Sequence, residues 1–130
     1  MNSEPVLTRT AKIWLRADGL IQAVSLPGTH EGLVDAQANM AAIAGFASDQ
    51  KRPVLIDMRE MTRIEREART YYATGGGRLV VTAVALLIGS PVSRVIANFS
   101  LALNPPPVPM RLFSSEAEAV TWLKNFIEPV

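Results

Sequence analysis

The sequence of 130 residues contains no cysteine and a single histidine, His30. The absence of cysteine excludes disulfides, thiolate zinc sites and a cysteine nucleophile. It is typical of proteins in a reducing compartment, so we expect a cytoplasmic protein. One histidine among scattered carboxylates matches neither a metal-ligand pattern nor a catalytic triad. The sequence therefore predicts no metal, no cofactor and no enzymatic activity.

The sequence also has little net charge and no long hydrophobic run. Its 13 basic and 12 acidic residues leave a net charge of +1, which gives no general attraction for nucleic acid or an anionic membrane. The most apolar stretch, residues 79–89, is about half as long as a helix that spans a bilayer. Residues 1–5 lack the basic region and apolar run of a signal peptide. We therefore expect no membrane span and no nucleic-acid partner.

The hydrophobic pattern predicts one α/β domain that covers residues 1–130. A composition of 48% hydrophobic and 19% charged residues is that of a globular protein. Two predicted strands, residues 10–16 and 20–26, flank the turn signal Asp18-Gly19. Helices are predicted after Thr29, after a capping box from Thr62 to Glu65, and after Ser90 and Ser115; the further strands are residues 54–57, 80–88 and 110–113. The order β-β-α-β-α-β-α-β-α implies a mixed, mostly parallel sheet with helices packed on it.

Residues 54–66, Val-Leu-Ile-Asp-Met-Arg-Glu-Met-Thr-Arg-Ile-Glu-Arg, follow a recognisable arrangement of strand, loop and helix. This segment resembles that of STAS domains, the family named for sulphate transporters and anti-sigma-factor antagonists. The resemblance implies that Asp57 ends the strand and that Met61 and Ile64 anchor the loop. The serine that is phosphorylated in STAS antagonists falls on Arg66, and the preceding acid on Glu65. The resemblance therefore implies the fold without the phosphoswitch, because arginine has no hydroxyl group to phosphorylate.

The rest of the chain is similar to a family of uncharacterised bacterial STAS-like proteins. Residues 83–87, 93–99 and 111–113, and the Trp122-Leu123 pair that follows them, carry this similarity. The match of residues 54–66 to the STAS segment, together with the arginines of that region, favours a regulatory module that binds another protein, with residues 57–69 and 90–98 as its binding surface. A pocket for a small lipid or anion, with residues 92–103 as one wall, is the alternative. An apolar helix face left after the sheet is covered could also form a homodimer.

Arginines are concentrated around the predicted loop and helix. Residues 51–78 contain seven basic and four acidic residues, a net charge of +3. One interpretation is an anion site, with arginines converging on a helix N-terminus. The other is a solvated face with exposed Arg–Glu pairs, which contribute little stability. Asp57 could equally bind a ligand at the strand end or accept hydrogen bonds from the following turn. The candidate binding residues are Asp57, Arg59, Arg63, Glu65, Arg66, Arg69 and Arg94.

Overall fold

The computed structural model describes residues 4–73, 80–89 and 108–128. The strands in this part of the chain are β1 (Val6–Leu7), β2 (Ala11–Leu15), β3 (Ile21–Ser25), β4 (His30–Glu31), β5 (Arg52–Asp57), β6 (Arg63–Ile64), β7 (Val81–Leu87) and β8 (Met110–Phe113). Six of them form a sheet in the order β1-β2-β3-β5-β7-β8. The pairs β1–β2 and β2–β3 are antiparallel, and the pairs from β3 to β8 are parallel. The sheet is therefore mixed and mostly parallel, as the sequence predicts.

The hairpin between β2 and β3 turns at the predicted Asp18-Gly19 pair, but its loop holds three residues. The Arg16 amide donates to the Leu20 carbonyl at 2.8 Å, which leaves residues 17–19 as the loop. Gly19 has a φ of 93°, in the left-handed region. A three-residue hairpin loop requires this conformation at its last residue, where glycine carries no steric cost.

Three helices follow in the described residues: α1 (Leu33–Phe46), α2 (Arg66–Ala73) and α3 (Glu116–Leu123), the last continuing into a 3₁₀ turn (Lys124–Phe126). Ser115 caps α3 as predicted, accepting the Glu118 amide at 3.3 Å. The expected Thr29 cap of α1 is wrong. Gly32 is the N-cap residue, and its amide donates to the Asp35 carboxylate at 2.9 Å. The Thr29 hydroxyl donates instead to the Leu26 carbonyl.

The loops before α1 and α2 pair with each other through β4 and β6, a short parallel ladder that the sequence analysis did not predict. The amides of Thr62 and Arg63 donate to the Thr29 carbonyl, and the Glu65 amide donates to the Glu31 carbonyl. This pairing holds residues 62–65 extended, so α2 begins at Arg66 and the predicted capping box does not form. Backbone pairing between residues 33 or 34 positions apart thus overrides a local capping signal.

The central strand β5 is covered on both faces. Val54 faces a cluster that includes Ile13, Ile21 and Ile43 of α1. Leu55 faces the opposite cluster, in which Leu20, Leu87 and Leu123 of α3 are fully buried. This double cover explains the continuous apolar run of the strand. The predicted helix after Ser90, with its wall of residues 92–103, lies outside the described residues.

Candidate functional site

Asp57 ends β5 and is the most enclosed of the described candidate residues, at 6% exposure. Its Oδ1 accepts the Arg59 backbone amide at 3.1 Å and the Arg59 Nε at 2.9 Å. Its Oδ2 accepts the Arg59 Nη2 at 2.7 Å. Hydrogen bonding and the charge of Asp57 raise the pKa of the Arg59 guanidinium above its ordinary value. Asp57 therefore closes the turn that follows its own strand, and both of its oxygens are occupied.

Arg59 lies across the carboxyl ends of the central strands. Its Nη2 is 3.8 Å from a carboxylate oxygen of Glu116 at the start of α3. A Cβ atom placed on Gly89, just beyond β7, would lie 3.0 Å from the Arg59 Cγ. The absence of a side chain at Gly89 thus lets the arginine stem pass close to the backbone. Arg59 thus contacts the end of β5, the residue beyond β7 and the start of α3.

The other candidates occupy the ladder and α2. The Arg63 Nε is 3.1 Å from a carboxylate oxygen of Glu65, and the two side chains are 64% and 40% exposed. The Arg69 Nη1 donates to the Ile64 carbonyl at 2.8 Å. Arg66 is exposed and has no ion pair among the described residues. Arg94 lies outside the described residues.

The six described candidates all lie in one continuous segment of the chain, which we call the loop–helix surface (residues 57–69). The expected loop anchors are confirmed: Met61 and Ile64 pack with Ala36 of α1 and Ala68 of α2. The arginine charges do not converge on one point, because Arg59 and Arg63 each pair with an acid and Arg69 binds a carbonyl. The first turn of α2 also carries the acidic residue Glu67.

A buried polar network lies beside this surface, and the sequence analysis missed it. Glu31, at 3% exposure, accepts a 2.5 Å hydrogen bond from the Tyr72 hydroxyl of α2 on its Oε2. Its Oε1 accepts the Thr10 hydroxyl and the Asn39 amide, both at 3.2 Å. The Asn39 amide also donates to the Thr10 Oγ1 at 3.0 Å, and its carbonyl oxygen accepts the Thr8 hydroxyl. One signal was available in the sequence: Asn39 lies between Ala36 and Ile43 at helical spacing, on the predicted apolar face of the helix.

Burial governs the ionisation of this network. Desolvation raises the pKa of Glu31 above its ordinary value of 4.5, although the hydrogen bonds from Tyr72, Thr10 and Asn39 oppose the shift. Burial and the neighbouring Glu31 carboxylate raise the pKa of Tyr72 as well. The phenol therefore stays a hydrogen-bond donor at neutral pH.

The described residues give no metal site and no membrane helix. No three His, Asp or Glu side chains come together among them in a way that could hold a metal ion. None of their helices is both long enough and apolar enough to cross a bilayer. His30 is exposed, as expected for a histidine near the start of a helix.

Comparison with known proteins gives a fold and a family. The structure is similar to an uncharacterised protein of the DUF3478 family from Shewanella loihica PV-4, which has a SpoIIAA-like fold. That match has a TM-score of 0.58 and 13% sequence identity, and it covers 94% of this chain and 92% of the other. The expected STAS-like fold is thereby confirmed.

A second solved structure, a protein with unknown function from Arthrobacter sp. FB24, is 30% identical in sequence over 91% of this chain and 95% of its own, with a TM-score of 0.30. No curated protein matches the chain. The sequence family described as "Domain of unknown function (DUF7793)" matches residues 13–127. The chain belongs to this DUF7793 family.

Proposed function

We propose that this chain is a non-enzymatic regulatory module of the cytoplasm that binds a protein partner through the loop–helix surface. One observation carries the proposal. The β4–β6 ladder and the backbone hydrogen bonds to Thr29 and Glu31 hold residues 62–65 of this surface, while the side chains of Arg63 and Arg66 are exposed to solvent. A fixed backbone that displays exposed charges can select a partner with little loss of conformational freedom on binding.

The chemistry of the described residues favours binding over catalysis. The Thr10 hydroxyl donates to the Glu31 carboxylate, the arrangement of a nucleophile beside a base. Thr10 is 0% exposed and Glu31 is 3% exposed, so a substrate has no access to either group. The pair therefore supports the fold rather than a reaction. Arg66, at the position of the phosphorylated serine in STAS antagonists, supports a partner whose binding does not depend on phosphorylation.

Charge reversal of the exposed arginines tests the proposal. The wild-type chain and the Arg63→Glu/Arg66→Glu variant are used for affinity capture from the native cell extract, and the retained proteins are identified by mass spectrometry. A candidate partner is then purified, and its affinity for both chains is measured by calorimetry. We expect the double variant to lose binding, while its free energy of unfolding stays within about 0.5 kcal/mol of the wild type, as for most surface substitutions.

A matched control separates local contacts from overall charge. Lys51 and Lys124 are exposed and lie away from the loop–helix surface, before β5 and after α3. Their reversal to glutamate changes the net charge by the same amount. The control variant should retain the partner. Retention of the partner by Arg63→Glu/Arg66→Glu, or its equal loss from both variants, would contradict the proposal.

A further inference from the structure

Glu31 connects three parts of the fold through one carboxylate. It belongs to β4 and binds Thr10, just before β2, Asn39 of α1 and Tyr72 of α2. The bond to Tyr72 is a polar link between α2 and the rest of this network. Among the described residues, α2 also packs on α1 through a small apolar cluster, centred on Ala36, Ile64 and Ala68. A short helix depends strongly on tertiary contacts of this kind.

The carboxylate of Glu31 is buried without an ion pair among the described residues. Its three donors are neutral, and none of the ion pairs among the described residues includes Glu31. Burial of an ionised group is costly unless a charge of opposite sign compensates it, and neutral hydrogen bonds compensate only in part.

The charged groups on the elements around Glu31 are engaged elsewhere or add to its negative charge. The Arg9 guanidinium attracts the Glu31 carboxylate only at a distance, because its hydrogen bonds go to Asp35 and the His30 carbonyl. Asp35 itself raises the pKa of Glu31 further, since like charges repel. The other titratable or charged groups on these elements are His30 on β4, Lys12 on β2, Arg63 on β6 with Glu65 beside it, and Arg66, Glu67, Arg69 and Tyr71 on α2.

We propose that the docking of α2 against α1 is coupled to the protonation of Glu31, with the bound proton favouring the docked helix. When α2 moves away, Tyr72 leaves the carboxylate and water can reach Glu31. Water stabilises the ionised form, whereas the closed, buried site stabilises the neutral form. Loss of the proton at Glu31 therefore loosens α2.

The direction of the pH dependence follows from the raised pKa of Glu31 in the folded chain. The docked state binds the proton more tightly than an open state in which the ordinary value near 4.5 applies. Docking is strongest below about pH 4.5 and weakens as the pH rises through the raised pKa.

This coupling is a property of the fold, and its use in regulation rests on the proposed function. Arg66 and Arg69 belong to α2, so movement of the helix would change the loop–helix surface that they form. Measurement of the helix itself, with no partner present, keeps the two proposals separable. If α2 protection shows no pH dependence, the proposed partner binding by Arg63 and Arg66 is not affected. If partner binding fails, the proposed pH dependence is not affected.

Amide hydrogen exchange of the full chain tests the coupling. Protection factors of the α2 amides, corrected for the pH dependence of chemical exchange, are measured between about pH 4.5 and about pH 7.5. We expect wild-type protection to fall as the pH rises, by about tenfold for each pH unit between 4.5 and the raised pKa. A wild-type profile that stays flat or rises with pH would overturn the proposal.

Glu31→Gln is the decisive variant, because it removes the charge and keeps the shape. The glutamine carbonyl can accept from Thr10 and Asn39, and its amide can donate to the Tyr72 oxygen. Protection of α2 should then be independent of pH, and at about pH 7.5 it should equal or exceed the wild-type value. Persistence of the wild-type slope in this variant would contradict the proposal. Glu67→Gln, which neutralises an exposed acid on α2 itself, is the matched control and should keep that slope.

Tyr72→Phe provides a second test that leaves Glu31 in place. The phenylalanine ring fills the same space but removes one of the three donors to the carboxylate. The substitution should therefore lower the protection of α2 more at about pH 7.5, where Glu31 is more ionised, than at about pH 4.5. The pH dependence of α2 protection should persist in this variant, because Glu31 stays buried, and its disappearance would overturn the coupling.

Discussion

Asp57 and Glu31 are both buried carboxylates, and their partners give them different roles. Asp57 receives a bidentate arginine from two positions along the chain, so its charge is compensated locally. Glu31 receives only neutral donors, from residues 8, 21 and 41 positions away. The Asp57–Arg59 ion pair stabilises a turn, whereas the buried site around Glu31 disfavours the ionised carboxylate. The sequence alone drew attention to Asp57, because it stands at the C-terminal end of a predicted apolar strand.

Substitution of Asp57 by asparagine tests its structural role. The asparagine oxygen can still accept the Arg59 amide, but the bidentate contact with the guanidinium is lost. We expect the free energy of unfolding to fall by about 1–3 kcal/mol, because the hydrogen bonds are charge-assisted and the site is enclosed. Urea denaturation followed by circular dichroism measures the change.

Asp49→Asn is the control for that experiment. Asp49 also pairs with an arginine, Arg52, at 2.8 Å, but its side chain is 54% exposed. Solvent screens such a pair, so stability should be almost unchanged. If the two variants lost equal stability, enclosure of Asp57 would not be the reason for its effect.

At the scale of the elements, two glycines differ in whether their backbone conformation requires glycine. Gly19 needs its left-handed φ to close the β2–β3 hairpin. Gly45 lies near the end of α1 without a positive φ, and a Cβ atom there would meet nothing within 4 Å. The same substitution should therefore have opposite effects at the two positions.

Replacement of each glycine by alanine checks this expectation. Gly19→Ala should destabilise the protein by about 1 kcal/mol or more, because it forces a Cβ into the left-handed region. Gly45→Ala should stabilise it by about 0.5–1 kcal/mol, because alanine restricts the unfolded chain and favours the helix. Thermal and urea denaturation report both changes. Destabilisation by Gly45→Ala would indicate that the exposed face of α1 needs the glycine for a close contact.

The start of α2 shows how the elements compete for the same backbone groups. The capping box at Thr62 and Glu65 is a sound local signal, yet the amides of Thr62 and Arg63 donate to the Thr29 carbonyl. Residues 62–65 consequently lie extended, and the helix begins later. In the described residues, no distant carbonyl accepts the Glu118 amide. Ser115 therefore accepts it and caps its helix as the sequence predicts.

At the scale of the whole molecule, Glu31 and Asp35 give the stability of the fold opposite dependences on pH. The Arg9 hydrogen bond lowers the pKa of Asp35, whose stabilising contribution is present above its ordinary value of 3.8 and is lost as the pH falls through the lowered pKa. The pKa of Glu31 is raised, so its contribution is most favourable below 4.5 and is lost as the pH rises through the raised pKa. Together the two groups favour maximal stability between the pH range in which Asp35 becomes protonated and the pH range in which Glu31 becomes ionised.

Difference curves isolate each contribution from the titration of other groups. Subtraction of the unfolding free energies of Asp35→Asn from those of the wild type should leave a term that declines below about pH 3.8. The same subtraction for Glu31→Gln should leave a term that declines above about pH 4.5. A flat Glu31 difference curve would mean that the folded chain does not penalise the charge.

The oligomeric state remains a prediction. Leu7 and Val34 are 69% and 76% exposed, on β1 and at the start of α1. The suggested homodimer would need to cover apolar surface of this kind, and light scattering of the purified chain measures its mass directly.

The sequence by itself determined the hydrophobic framework of this protein. The apolar run of β5, the turn at Gly19 and the cap at Ser115 depend on neighbours within a few residues, and such signals are visible in the chain. It also located the loop–helix surface, whose residues follow one another from Asp57 to Arg69.

Only the tertiary structure decided how that surface is held. The β4–β6 ladder and the Glu31–Tyr72 bond join residues that are 33 and 41 positions apart. No local pattern specifies those partners, because the path of the sheet brings them together.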